Sequence, residues 1–462
     1  MIEIKNIKQI YLLGIGGIGM SALARYFQFI GKQVRGYDKT PTSLTLALEK
    51  EGIPIHYKDD LTKVPKPEEK DTTVVIYTPA VPVNFAEFLY FRENGFSMYK
   101  RSAVLGLLTA GRRCIAIAGT HGKTSVTTMT AHLLKQSHID CSAFMGGISK
   151  NYETNLLLPD NNSPFIVVEA DEFDRSFLQL HPELAVITWM DADHLDIYGD
   201  HQTMVKAFGD FVSQIHPNGT LLYRNGLNID GQWNTQIQYY SYSINELSDY
   251  QAIDIHIVDG AYHFDLKTPT GVIENLCLTY PGLMNVENAV ASCAMALLSG
   301  VTADEIRLAL AQYSGVVRRF DVRYKGKKTI YIDDYAHHPR ELEATIRSVR
   351  DLYPGKRVTG IFQPHLFSRT NDFAADFAAA LDLLDDALVM EIYPARELPM
   401  EGVNSGIILD KMNSVSKLRC QNSDFPAILG NYQPEILLTL GAGDIDRLIE
   451  PIINYLVENE NV

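Results

Sequence analysis

Arg113-Cys-Ile-Ala-Ile-Ala-Gly-Thr-His-Gly-Lys-Thr124 is the stretch on which the fold of this chain turns. An apolar strand runs into a glycine-bracketed turn, Gly119-Thr120-His121-Gly122, that ends in Lys123 and Thr124. A helix-forming run, Ser125 to Lys135, follows. Strand, glycine turn and helix in that order bring backbone N–H groups and a helix N-terminus to one point, where a phosphate chain binds. Lys123 then reaches the outer phosphate oxygens, and the Thr124 hydroxyl serves a magnesium ion. The full phosphate-loop pattern has a glycine where this chain has Ile117, so the loop is a shortened form. A turn that only closes a strand-to-helix corner is the plainer account, but Gly-Lys-Thr behind a strand points to nucleotide binding.

Upstream, a strand from Gln9 to Leu13 leads into Gly14-Ile-Gly-Gly-Ile-Gly19, an amphipathic helix from Met20 to Ile30, and a second strand ending at Tyr37-Asp38. This is the spacing of a dinucleotide fingerprint, with Gly14, Gly16, Gly17, Ile18 and Gly19 around a diphosphate and Asp38 as its acidic residue. NAD is the default ligand of that motif alone, but a second nucleotide site at Lys123 favours an ATP-driven enzyme acting on a nucleotide-linked substrate. The strand Thr73 to Tyr77 ends in the turn Thr78-Pro-Ala80 of the same domain. Basic residues and glycine break the pattern between Lys100 and Arg112, which sets the first boundary.

Downstream, the strands Phe165 to Val168 and Leu184 to Trp189 end in Glu169-Ala-Asp-Glu-Phe-Asp174 and Asp191-Ala-Asp-His-Leu-Asp196. Both acidic clusters fall at strand carboxyl ends, where open α/β sheets place their ligands. Short β-type runs fill Gly219 to Tyr280, and a helix from Asn285 to Ser299 follows. From Arg318 a third segment repeats strand, polar turn and helix. Thr329 to Ile332 runs into Asp333-Asp-Tyr-Ala-His-His-Pro339, Arg357 to Phe362 into Gln363-Pro-His-Leu-Phe-Ser-Arg-Thr370, and Glu435 to Leu440 into Gly441-Ala-Gly-Asp444. The expected fold is three α/β domains in series: a Rossmann-like domain over 1–108, a central phosphate-loop ATPase domain over 109–316, and a Rossmann-like domain over 317–462.

Composition narrows the function. Apolar content of 46% and charged content of 21% are those of an ordinary globular protein, and 462 residues exceed a single core. A formal net charge of -15 argues against nucleic-acid backbones and anionic membranes as partners. Met1-Ile-Glu-Ile-Lys5 has no basic region ahead of an apolar run, so no signal peptide is expected, and no apolar stretch approaches the roughly 20 residues that span a bilayer. Cys114, Cys141, Cys277, Cys293 and Cys420 are scattered without CxxC spacing and read as buried thiols of a reducing cytoplasm. Nothing chooses between a monomer and a homodimer.

Among the remaining candidates, Glu169 gains weight as a metal ligand because magnesium with ATP needs hard oxygens near the loop hydroxyl. For His194 a metal ligand and a capping or core histidine stand side by side. Asn285 fits the N-cap of its helix, which leaves Asn288 to be explained by a nucleotide contact. Arg318-Arg319 is either a solvated pair or a source of a guanidinium for transferring phosphate. His337, His338, His365 and Arg369 gather at two strand ends. No close His-x-x-His pattern supports zinc there, and a substrate carboxylate on Arg369 fits a cytoplasmic ligase better.

Taken in order, Gly14–Met20, Gly119–Thr124, Glu169–Glu172, Asp193-His194, Asn288, Arg318-Arg319-Phe320, Asp334–Pro339 and Gln363–Arg369 resemble the Mur ligase family, over nearly the whole chain. The resemblance implies an ATP- and Mg2+-dependent ligase of peptidoglycan precursor synthesis, in the branch that adds L-alanine to UDP-N-acetylmuramate. The related ligase that attaches a whole tripeptide to the same sugar is the alternative. It further implies that the Gly14–Gly19 turn, with Asp38 and Thr78, serves the UDP-sugar in place of NAD. Lys123 would hold the ATP phosphates, Thr124 and Glu169 a first magnesium, and His194 a second metal. Asn288, Arg319 and Asp334 would embrace the nucleotide, and His337, His365 and Arg369 would face the amino acid. Met284 stands where many members have histidine. Phe208-Gly209 stands where several carry a carbamylated lysine, with Lys206 out of register.

Overall fold

A computed structural model describes residues 6–191, 195–228, 234–395, 397–414 and 416–460. The chain divides into two compact units. Met1–Ile255, Phe264–Leu276 and Asn288–Tyr313 form the first, and His256–His263, Cys277–Glu287 and Ser314–Val462 the second.

The first unit opens with a five-stranded parallel sheet. Its strand order is Ile55–His56, Gln33–Tyr37, Gln9–Leu13, Thr73–Tyr77 and Ser97–Lys100. Leu13 pairs with both Tyr37 and Tyr77. Three strands therefore end level and hand the chain to Gly14, Asp38 and Thr78 at one edge, where the strand order reverses. The helix Ile18–Phe29 begins two residues earlier than its apolar period suggests, with Gly17 as its cap, so Ile18 and Gly19 are already helical. Between Lys100 and Arg112 the expected break is instead a nine-residue helix, Arg101–Thr109, which buries Val104, Leu105 and Leu108.

The second sheet centres on Arg113–Ala118, flanked by the parallel strands Leu184–Ile187 and Phe165–Glu169. Thr220–Arg224 and Gln238–Ser243 extend it on one side, and Ser142–Ser149 and Thr154–Leu157 on the other. The Gly219 to Tyr280 region ends in long outer strands, Tyr250–Val258, Ala261–Thr268 and Gly271–Leu278, and the sheet reaches ten strands. Both sheets of this unit share one apolar core. Tyr26, on the helix that covers the first sheet, and Phe144, on a strand of the second, meet with ring centroids 5.5 Å apart. Buried Asn155 locks the junction, donating to the Ile18 carbonyl at 2.5 Å and to Ser21 Oγ at 2.9 Å.

The second unit holds a six-stranded sheet in the order Asp321–Lys325, Ile330–Asp334, Ile436–Leu440, Val358–Phe362, Asp386–Met390 and Lys417–Cys420. It is parallel except for the first strand. Leu440 pairs with Asp334 and with Phe362, so these strand ends are level too. Cores cover both faces, one around Phe362 and Phe377 and one around Tyr331 and Leu437. Among the described residues no helix is long and apolar enough to cross a membrane.

Candidate active site

Arg113–Ala118 is a fully flanked central strand, so its end is fixed on both sides: Ala118 pairs with Ile187 and Ile117 with Glu169. The chain turns sharply at Gly119, whose φ is +133°. A Cβ there would lie 2.1 Å from Thr188 Oγ1 and 2.8 Å from the Trp189 nitrogen, so only glycine fits. The Thr120 N–H donates to the Trp189 carbonyl at 2.8 Å, and His121 Nε2 lies 3.3 Å from Asp191 Oδ2. The helix starts at Lys123, two residues before the sequence expectation, so Lys123 and Thr124 are its first residues and Gly122 caps it. The Asn288 amide oxygen sits where a side chain on Gly122 would begin.

Lys123 Nζ donates to the Gly119 carbonyl at 2.6 Å and to Glu172 at 2.9 Å, with the second carboxylate oxygen at 2.7 Å. Burial works against the charge of Lys123, yet Glu172, Asp171 and Glu169 outweigh it and hold the ammonium above the ordinary lysine value. Burial lifts the Glu172 carboxyl, against the pull of Lys123. Glu169 sits at the end of its strand against Gly146. The Thr124 hydroxyl and the Glu169 carboxylate are hard oxygen donors, the set that suits a small divalent cation. Among the described residues no group of three or more His, Cys, Asp or Glu is arranged for a metal. Asp193 and His194 lie outside the described residues.

At the first sheet's edge the Gly16 N–H donates to Asp38 Oδ2 at 2.7 Å, and the Thr78 methyl packs on Gly14. The glycine turn is thereby shaped by both neighbouring strand ends. Asn285 corrects the sequence reading. It is the third residue of the helix Leu283–Leu298 and donates from its amide to the Pro281 carbonyl at 2.6 Å, so it is not the N-cap.

In the second unit the two arginines part company. Arg318 is committed to structure, with Nε 3.1 Å from Asp333 and Nη2 2.7 Å from the Gly441 carbonyl. Arg319 is half-buried, 3.9 Å from Glu341 and 5.1 Å above the Tyr335 ring. Asp334 closes the turn by accepting the Phe320 and Ala336 N–H groups, both at 2.7 Å. Burial pushes its carboxyl up to about 6, opposed by Arg319. His337 and His365 face each other at 6.0 Å between ring centroids, and His365 stacks on Tyr393. Arg369 lies buried in the helix Phe367–Asp372. His338 is the N-cap of the helix Pro339–Leu352.

Two residues escaped the sequence reading as individuals. Glu172 was visible only as one acid in a cluster. Its partner Lys123 lies 49 residues away in sequence, and the turn that follows Glu172 is irregular, with Asp174 and Arg175 both at a left-handed φ of 54°. Arg101 was passed over as a boundary residue, although it lies beside Asp171.

Comparison with known proteins agrees along the whole chain. Three family models match: "Mur ligase family, catalytic domain" over 9–113, "Mur ligase middle domain" over 117–296, and "Mur ligase, glutamate ligase domain" over 318–426. The UDP-N-acetylmuramate--L-alanine ligase of Parabacteroides distasonis is 49% identical over 455 residues, covering 98% of each chain. That of Porphyromonas gingivalis is 49% identical over 452 residues, 97% of this chain and 99% of the relative. The crystal structure of the UDP-N-acetylmuramate-alanine ligase of Thermotoga maritima superimposes with a TM-score of 0.82 at 25% identity, covering 98% of this chain and 99% of that one. The murein peptide ligase of Psychrobacter arcticus shares the fold, with a TM-score of 0.70 at 22% identity over 97% of this chain and 98% of that one. With its phosphate loop, its acid-bearing strand ends and these matches from residue 9 to residue 426, the chain belongs to the Mur ligase family.

Proposed function

We propose that this chain joins L-alanine to the lactyl carboxylate of UDP-N-acetylmuramate in an ATP- and Mg2+-dependent step of peptidoglycan precursor synthesis. One observation carries the reading: near-full-length identity of 49% to alanine ligases. The loop chemistry around Lys123 supports it. ATP and nucleotide sugars are cytoplasmic pools, which makes the cytoplasm the proposed compartment.

A carboxylate is a poor electrophile, and condensing it with an amine in water is uphill. ATP supplies the driving force by giving its γ-phosphoryl group to a carboxylate oxygen, so that ADP leaves and the acid becomes an acyl phosphate. The deprotonated α-amine of alanine then attacks the acyl carbon. The C–N bond forms, the C–O bond to phosphate breaks, and phosphate departs. The chain's own residues bind, orient and neutralise. The Gly119–Thr124 loop takes the phosphates, with Lys123 offsetting their charge. Thr124 and Glu169 would supply oxygens to Mg2+, and His194 would offer an imidazole to a second metal. Asn288, Arg319 and Asp334 hold the nucleotide, and Arg319 also neutralises the transferring group. The Gly14–Gly19 turn, Asp38 and Thr78 hold the UDP-sugar. Arg369 pairs with the alanine carboxylate, and His337 and His365 orient the amine.

The deciding experiment is mass spectrometry of the product formed from UDP-N-acetylmuramate, ATP and a mixture of amino acids and muropeptide tripeptide. One alanine residue added per ADP released is the expected result. A tripeptide product, or an amide formed without ADP, would overturn the reading.

A further inference from the structure

A cavity of about 90 Å³ lies inside the first unit, walled by the start of the helix Ile18–Phe29, the helix Arg101–Thr109 and the ends of the strands Ser142–Ser149 and Phe165–Glu169. Its walls are largely apolar, from Ile18, Ala22, Leu105 and Met145. Its charged lining is Arg101, Glu169 and Asp171. Two glycines make room for this charge. A Cβ on Gly19 would lie 2.3 Å from Arg101 Nη1, and a Cβ on Gly146 would lie 2.1 Å from Glu169 Oε2. The backbone thus gives way once for a guanidinium and once for a carboxylate at the same cavity. Gly19 belongs to the turn read as the sugar-diphosphate site, and Glu169 to the acids beside Lys123, so Arg101 stands between the two chemistries.

The pairing of Arg101 is loose. Its nearest acid is Asp171, with Nη2 3.5 Å from Oδ2, longer than a charge-assisted hydrogen bond, and both side chains are partly exposed at 26% and 34%. A carboxylate entering this cavity meets two fixed negative charges and, among the described lining residues, one cation. Without that guanidinium, Glu169 and Asp171 would repel an entering carboxylate. A planar guanidinium can hold a carboxylate through two parallel N–H donors, which a lysine cannot do.

We infer that Arg101 receives the reacting carboxylate of the acid substrate, exchanging Asp171 for it, and is the residue that distinguishes an acid-bearing nucleotide sugar from one without the acid. This rests on the ligase reading above and deepens it. The apolar wall from Ile18 and Ala22 then faces the methyl group of the lactyl arm.

The test compares UDP-N-acetylmuramate with UDP-N-acetylglucosamine, which shares the nucleotide and sugar but lacks the lactyl acid. Binding of both is measured by calorimetry for unaltered protein, R101M and R101K, with melting temperatures recorded alongside. In R101M the affinity for UDP-N-acetylmuramate is expected to fall roughly 10- to 100-fold, the loss of one charged hydrogen-bonded partner, while that for UDP-N-acetylglucosamine stays within about threefold. R101K, which keeps charge but loses the fork, is expected between the two and covers the case of a poorly folded R101M. An equal fall for both ligands would make Arg101 a diphosphate ligand and overturn the inference, as would no fall for either. If unaltered protein binds UDP-N-acetylmuramate yet makes no amide with ATP and alanine, the ligase reading fails. That outcome is distinct from an unaltered ligase whose Arg101 variants keep their affinity.

Discussion

Glu172 is fully buried, and its counter-ion is Lys123, which also donates to the Gly119 carbonyl. Removing one charge of a buried pair leaves the other uncompensated, at a cost of roughly 3–5 kcal/mol. Glu172→Gln keeps an oxygen acceptor and so loses less. It is expected to lower the melting temperature and to cut ADP formation at least about tenfold, because Lys123 loses its charged partner and keeps only neutral acceptors, among them the Gly119 carbonyl. A variant that melts and turns over like the parent would show that the pair does not position the lysine. Asp334 offers a pH test. Its folded value of about 6 lies above its ordinary 3.8, so the folded state binds its proton more tightly. The stability this contributes is fully present below about 3.8 and is lost as pH rises through about 6. Melting temperatures of the parent and of Asp334→Asn from pH 4 to 7 should therefore diverge, with the parent losing ground as pH rises. Parallel curves would mean that Asp334 does not titrate there.

The turn after Arg113–Ala118 shows at the level of the element why only some of the site could be read from sequence. Gly119→Ala places a methyl carbon against Thr188 and the Trp189 backbone at a φ of +133°, which L side chains rarely adopt. A cost of about 1–3 kcal/mol and a fall in ATP affinity are expected, measurable by melting and by nucleotide titration. Unchanged ATP affinity would show that the turn tolerates a side chain and is not shaped for phosphate. The strand, the glycine turn and the acids at strand ends were legible because each is a local pattern: an apolar run, a breaker, a polar stop. Element ends were less so. The helix Lys123–Lys135 starts two residues early because a left-handed Gly122 frees the next residues to be helical, and periodicity alone does not register that. Asn285 misled for a related reason: Pro281-Gly282 already begins the turn, so the helix opens at Leu283 and Asn285 falls inside it. Glu172 and Arg101 were illegible because their meaning lies in partners 49 and 70 residues away, Lys123 and Asp171, brought near only by the folded sheets.

At the scale of the whole molecule, burial should be visible in thiol chemistry. Of five cysteines, Cys114, Cys141, Cys293 and Cys420 are buried and Cys277 is half-buried. Burial pushes Cys114, Cys293 and Cys420 up to about 12. A disulfide reagent at pH 8 is expected to titrate at most one thiol in the native chain and five in denaturant, and rapid reaction of two or more would show that a core opens. The first unit carries the turns proposed for ATP and for the UDP-sugar on separate sheets. Among the described residues the Lys123 ammonium donates within the second sheet's own turns, to Gly119 and Glu172. The Gly16–Asp38 contact belongs to the first sheet. Lys123→Ala should therefore reduce ADP formation by about 100- to 1,000-fold or more, the scale of losing one preorganised charge donor. The dissociation constant for UDP-N-acetylmuramate should stay within about threefold. Because the variant strands Glu172 in the core, binding must be measured well below its melting temperature, and Lys123→Ala/Glu172→Gln provides a variant without that buried charge. Sugar affinity kept in both variants, with phosphoryl transfer gone, would separate the duties of the two sheets. Joint loss of sugar binding and ADP formation in the double variant would instead mean that the phosphate loop shapes the sugar site through the shared core.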